Sequence, residues 1–413
     1  MHTKIKSFLR NQLVCGVIEV VLLVVWVLLV GKAYLDMNPD MWPSGGQEYF
    51  MSLQNQYNWP MLLKCGTCFY WNGFTNGGAP SFIDIHGAWL NPIVMIATFA
   101  LGVANSGKVV ALVGLFIVGL SQLWLGKIFQ LSRFSRIWMA LLLTASGAVV
   151  GRLQMANVPL LLSTAMCMLV IPAVIDLTLN GGFKKAIILG VVLGLAILSG
   201  QGYLQIGLFI SLLPFLVYLL LGKAPSGTVL IKQNWKYFFC AGILGILIAS
   251  PLLIPLTHNS SIIDKDSDPL YTSSQPVSYS LLNLVIDDAD YYFTNAIKKT
   301  PFPYLYINYI GWIPVVLAVW GIAHTPKQYR KMMFGFLFVI LVVYLTSSAE
   351  LFKFLEKQFS VPSFGWIRNP GPIQSLAVPF ILILAGFGID HLLNIQLPKI
   401  RMTAEQQENT VGR

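Results

Sequence analysis

Charge is what this chain has least of. Only 11% of its 413 residues are Asp, Glu, Lys or Arg, while 56% are hydrophobic, and the mean hydropathy is +0.68. Soluble domains carry about 25% charged residues, so a water-soluble globule is excluded. Cysteine is also scarce: five in the whole chain exclude a disulfide framework. Acids are scarcer than bases, 17 against 27, which leaves a formal charge of +10. In a soluble protein that excess would point to nucleic acid. Here its distribution along the chain decides its meaning. Internal repeats and low-complexity tracts are missing as well, which argues against repeat architectures.

What is present is a succession of apolar segments joined by short loops. They read as spans near 13–33, 107–126, 137–151, 158–178, 186–200, 203–221, 237–256, 307–323, 332–347 and 373–393. That makes an all-α polytopic membrane protein of about ten helices, for a bilayer that needs about 20 residues per span. The first run, Val14 to Val30, follows Lys4, Lys6 and Arg10 and has no small-residue cleavage site after it, so it reads as a start-transfer anchor. The stretch Trp89 to Val103 is short and carries Pro92 near its start; it reads as a re-entrant or interfacial helix.

With that choice the positive-inside rule holds throughout. One side collects Lys127, Arg133 and Arg136; Lys184 and Lys185; Lys223, Lys232 and Lys236; Lys327, Arg330 and Lys331; and Lys399, Arg401 and Arg413, besides the N-terminal bases. The acids on that side are Asp176, Asp390, Glu405 and Glu408. The basic excess therefore records topology, and nucleic acid drops out as a partner. Both termini are expected in the cytoplasm of a bacterial cell, with the protein in its inner or cytoplasmic membrane. Residues 1–401 form one transmembrane domain, and the polar tail 402–413 reads as disordered.

Three outer segments are long: 34–107, 257–307 and 348–372. Long loops on one face carry function. The first holds Asp36, Asp40, Gly45-Gly46-Gln47-Glu48, Gln56-Tyr57, Trp71-Asn72, Gly77-Gly78-Ala79-Pro80, Asp84, His86 and Asn91-Pro92. Gly, Pro, Asn and aromatics at this density make a folded, turn-rich, helical structure at the membrane surface. It reads either as an aromatic-belt cap on the bundle or as a holder of carboxylates that act as general base or metal ligands. Cys65 and Cys68 have CxxC spacing without a thioredoxin-like context or further zinc ligands, and read as a disulfide staple of the loop. Asp264, Asp266 and Asp268, with Asp287, Asp288 and Asp290, lack the Gly and distal Glu of a calcium loop and read as a solvated acidic surface. No metal site is assigned. His258 reads as a hydrogen-bonded residue at a span end. Glu19, inside the first span, needs a polar partner within the bundle.

The order Gly-Gly, Gln-Tyr, Trp-Asn, Gly-Gly-x-Pro, Asp and Asn-Pro resembles the first outer loop of YfhO-like proteins of the GT-C superfamily of polyprenyl-phosphate-dependent glycosyltransferases. Gly151-Arg152 before Asn157, Ser199-Gly200-Gln201-Gly202, Trp366-Ile367-Arg368-Asn369-Pro370, and Ala385-Gly386-Phe387-Gly388-Ile389-Asp390 resemble later segments of the same family. The similarity is diffuse and extends over the whole chain. It implies a GT-C-like bundle that binds a lipid-linked sugar and transfers the sugar at the outer face.

In that picture Glu48 and Asp84 are the catalytic acids of the first loop, in some members helped by a divalent cation. Arg152 and Arg368 hold the lipid phosphate, whose charge grows as the glycosidic bond breaks. Read without the resemblance, each arginine lies near the outer end of a span, where it would otherwise snorkel to headgroups or pair with a carboxylate. Where such proteins carry an Asp after the paired glycines, this chain has Gln47 and then Glu48. A second reading therefore stands beside the enzyme: a non-catalytic GT-C-like subunit packed against membrane protein partners. A lipid or solute transporter is the third, although no inverted repeat or pair of interrupted helices is evident.

Overall fold

The computed structural model describes residues 12–43, 46–73, 78–81, 88–221, 230–259, 275–287, 306–348, 350–351, 354, 357–358 and 370–394. Among these, helix dominates. The sheet they contain is a two-residue ribbon in which β1 (Trp71–Asn72) pairs antiparallel with β2 (Ala79–Pro80). Six helices are long and apolar enough to cross a membrane: Pro92–Ile128, Arg133–Gln154, Val158–Asn180, Asn234–His258, Lys327–Thr346 and Gly371–Asn394. Three more, Val14–Val30, Gly202–Val217 and Trp312–His324, are apolar but shorter. The chain is an all-α membrane protein.

The first helix, α1 (Gln12–Val30), shows how lipid is accommodated. Cys15, Leu23 and Val27 are buried, whereas Val17, Val21, Val25 and Leu29 are exposed on the opposite stripe. Both stripes are apolar because one meets protein and the other acyl chains. Glu19 falls on the buried stripe, and its Oε1 accepts from Arg136 Nη2 at 2.5 Å. Arg136, which the topology rule counts among loop charges, is thus a helix residue that neutralises the one acid of the first span.

Two short helices of the first loop follow, α2 (Gly46–Leu53) and α3 (Asn58–Cys65). Then comes α4 (Pro92–Ile128), with 37 residues. A straight helix of that length would measure about 55 Å, far beyond a hydrocarbon core of about 30 Å. The helix is interrupted instead at Gly102, whose φ of 76° and ψ of 169° lie where only glycine is comfortable. The part before the break starts at Asn91, whose side chain caps Ile93 N at 3.0 Å. Gln56 spans the break: its Oε1 accepts from Thr98 Oγ1 at 3.3 Å on one side and from Ser106 Oγ at 2.5 Å on the other. Gln56→Met is expected to cost about 1 kcal/mol, because both hydroxyls keep backbone acceptors in Val94 and Val103. Faster hydrogen exchange at residues 99–106, with little change elsewhere, checks this.

The next crossing, which reads as a single span over 137–151, contains two helices, α5 (Arg133–Thr144) and α6 (Gly147–Gln154). The reason lies far along the chain. Gly147 N donates to Tyr309 O at 2.8 Å, and a Cβ on Gly147 would stand 2.7 Å from Tyr309 N, so the break admits the segment 306–311. Next, α7 (Val158–Asn180) is buried almost all round and forms the centre of the bundle. It packs against α4 and against α8 (Phe183–Leu198), α9 (Gly202–Leu221) and α10 (Leu230–His258); α11 (Trp312–His324), α12 (Arg330–Thr346) and α13 (Val378–Asn394) complete the bundle. Helix α8 packs on α10, and α11 on α13.

Contacts between distant segments define two ends. At one, Ser132 N and Ser135 Oγ donate to the Asp390 carboxylate, and Phe129 packs on Tyr329 and Phe387. At the other, the first loop, the α6–α7 and α8–α9 corners and the turn Gly371–Ala377 meet.

Candidate functional site

The loop end gathers polar groups that an apolar bundle otherwise excludes. Helix α2 places Glu48 in its first turn, where the helix dipole favours a carboxylate. The neighbouring Tyr49 is fully buried and donates to Ala104 O at 2.5 Å. Burial, reinforced by Tyr34, pushes its phenol well above the usual tyrosine range, so it stays a donor. Tyr34 itself donates to Leu153 O at 2.6 Å, which fastens the start of the first loop to α6.

Asn157 joins the parts. Its Oδ1 caps α7 by accepting from Leu160 N at 3.2 Å, its backbone N donates to Arg152 O at 3.0 Å, and its Nδ2 lies 3.3 Å from Glu48 Oε2. Ala156, just before it, is completely buried with φ at +55°. A non-glycine residue held there costs about 1–2 kcal/mol. Ala88 and Gln201 also have positive φ at this end, and Gln130 does at the other. Strain of this kind collects where the surrounding structure over-determines a site.

Arg152 is 2% exposed. Its Nη2 reaches Pro372 O at 3.4 Å, and its Nε has no hydrogen-bond partner among the described residues. The ion pairs among those residues are Arg136–Glu19 and Lys185–Asp176, so Arg152 is a buried cation without a described carboxylate. It does not snorkel.

Two buried hydrogen-bond sets enclose the corner. Asn91 Nδ2 donates to Leu195 O and Ser199 Oγ, while Gln205 Nε2 donates to Ser163 Oγ, Ala196 O and Gly200 O. On the other side Gln374 Oε1 accepts from Asn283 and Asn308, and its Nε2 donates to Ser280 Oγ. The latter set ties loop segments from two different parts of the sequence to the turn that carries Pro372.

Of the site residues expected from sequence, Glu48 and Arg152 are therefore brought to one corner through Asn157. Asp84 and Arg368 lie outside the described residues, as do the acids at 264–268 and at 288 and 290. Cys65 and Cys68 form a disulfide with Cα atoms 5.6 Å apart, on an exposed part of the first loop. His258 ends α10. Gln374 is a polar side chain in a largely apolar stretch and so carries a signal in the sequence, whereas Tyr34, between Lys32 and Asp36, and Tyr49, beside Glu48, carry none. No group of three His, Cys, Asp or Glu that could hold a metal gathers among the described residues. Among the described residues, Glu48 and its amide neighbour Asn157 do not by themselves supply the several oxygen ligands a divalent cation requires. No protein-family model matches the chain, and no curated protein matches it.

Proposed function

We propose that this protein is a GT-C-type glycosyltransferase that moves a sugar from a polyprenyl phosphate carrier to an acceptor hydroxyl. Its bundle would cross the membrane about ten times, with both termini in the cytoplasm and the reaction on the extracytoplasmic face. The supporting observation is the buried guanidinium of Arg152, without a described carboxylate, on a residue whose backbone carbonyl accepts from the same Asn157 that contacts Glu48. A cation kept in that condition is costly unless an anion is its working partner.

In this reading Glu48 takes the proton of the acceptor hydroxyl as its oxygen bonds to the anomeric carbon. The bond from that carbon to the phosphate oxygen breaks, and the electron pair leaves with the phosphate. Arg152 offsets the charge that grows there. Asn157 holds the Glu48 carboxylate in place. Asp84 and Arg368 are assigned the second acid and the second guanidinium on the resemblance alone.

The test is transfer from a membrane-extracted polyprenyl phosphate sugar by the reconstituted protein. General-base catalysis contributes about 10²–10⁴-fold, and Glu48→Gln should lose that much turnover. Asn157→Ser keeps a capping oxygen but cannot reach Glu48; it should lower kcat about tenfold and leave Tm nearly unchanged. Full activity in Glu48→Gln and Asp84→Asn together would sink the enzyme reading. Gln47, standing where relatives of the resembled family carry Asp, favours a second reading, the non-catalytic subunit of a membrane complex. Co-purification of stoichiometric partners with no transfer would select it.

A further inference from the structure

At the end opposite Glu48, α11 is seated by a narrow stripe. Its buried residues are Pro314, Ala318 and Gly321, and through Gly321 it meets the α13 backbone at Leu384 and Gly388. Val315, Leu317 and Ile322 pack partly against the core, the other side chains face outward, and along the helix runs an open apolar groove of about 440 Å³ lined by Trp312, Val315, Val316, Val319, Trp320 and Ala323, with His324 at its end.

That end is chemically different from the rest. Trp320 stacks on His324 with centroids 4.2 Å apart, His324 stacks on His391 of α13 at 4.1 Å, and Trp320 and His391 are 6.1 Å apart, so the three rings form a bent cluster around His324. His324 Nδ1 lies 3.0 Å from Trp320 O. A carbonyl only accepts, so Nδ1 carries the hydrogen and Nε2 is left for another partner. Beyond these rings the chain turns at Thr325-Pro326 and presents exposed Lys327, Arg330 and Lys331. The acid nearest in sequence to His391, Asp390, already accepts from Ser132 and Ser135. The end of the groove is therefore cationic, with its neighbouring carboxylate engaged elsewhere.

We propose that this groove is a binding site for an anionic phospholipid. One acyl chain lies along Val316 and Val319, and the phosphate sits at His324 Nε2 between Lys327 and Arg330. Charge complementarity commits the occupant: an acyl chain matches the carbon walls, and the bases beyond the imidazoles match a headgroup of net negative charge rather than a zwitterionic one. The site is separate from the Glu48–Arg152 corner and does not depend on the transferase reading.

Native mass spectrometry of the full-length protein, exchanged into micelles holding equal phosphatidylglycerol and phosphatidylcholine, tests it. Retained phosphatidylglycerol should exceed phosphatidylcholine by about tenfold. Val319→Trp fills the groove from a position 63% exposed, where it disturbs no packing. That variant, and the double variant Lys327→Gln with Arg330→Gln, should both bring the two lipids to parity. Equal retention in the wild type would overturn the proposal. So would a preference untouched by Val319→Trp, or a dimer mass lost on that substitution, which would make the occupant a second copy.

Discussion

On the proposed transferase reading, Arg152→Met is expected to lower sugar transfer about 10²–10³-fold while leaving the protein at least as stable as before. The two effects have opposite signs because they answer different questions. Arg152 is buried, weakly hydrogen-bonded to Pro372 O and without a described carboxylate. Taking a guanidinium out of water costs several kcal/mol, and replacing such a group by an apolar one of similar length is often neutral or stabilising by about 1–4 kcal/mol. A residue retained at that cost for folding alone would show the reverse, a drop in Tm. Removing a cation that meets the leaving phosphate should lower kcat by about 10²–10³-fold. Arg152→Lys keeps a charge but loses the planar fork and should fall between the two. Thermal unfolding and turnover measured on the same reconstituted samples separate the effects.

Gly321→Ala carries the largest expected structural penalty. A methyl there would run into Leu384 O and stand 2.9 Å from Gly388 N; one on Gly388 would run into Leu317 O and stand 3.2 Å from Gly321 N. These are backbone atoms of a packed helix and cannot swing aside as a flexible side chain would. Overpacking of this kind costs about 3 kcal/mol, and α11 should part from α13. Gly242→Ala is the control, because a Cβ at Gly242 meets nothing within 4 Å. It should gain about 0.5–1 kcal/mol, the ordinary advantage of alanine over glycine in a helix. A fall in Tm for Gly321→Ala beside a small rise for Gly242→Ala checks both predictions.

These expectations also mark what local sequence can and cannot carry. The apolar runs near 158–178 and 373–393 correspond to helices at Val158–Asn180 and Gly371–Asn394, because run length and the cap at Asn157 are local properties. The run over 137–151 gives no hint of its break, since the cause is Tyr309, which arrives from another part of the chain. Glu19 announces a partner by being an acid inside a span, yet nothing near it in sequence identifies Arg136, which lies 117 residues away. The site follows the same pattern. Glu48 and Arg152 stand out by residue type; the Asn157 side chain reaches Glu48 across 109 residues, while its backbone N meets the Arg152 carbonyl. The contact between Arg152 and Pro372, separated by 220 residues, depends on tertiary packing that no local motif encodes.

Photo-crosslinking would detect the lipid phosphate proposed to meet the buried Arg152. A polyprenyl phosphate carrying a photoreactive group beside its phosphate would be irradiated with the reconstituted protein, and the labelled peptides mapped. The account predicts label on 147–157 and on the turn 370–377, competed by unlabelled polyprenyl phosphate and lost in Arg152→Met. Label confined to outward-facing helix surfaces, or unchanged in Arg152→Met, would contradict it.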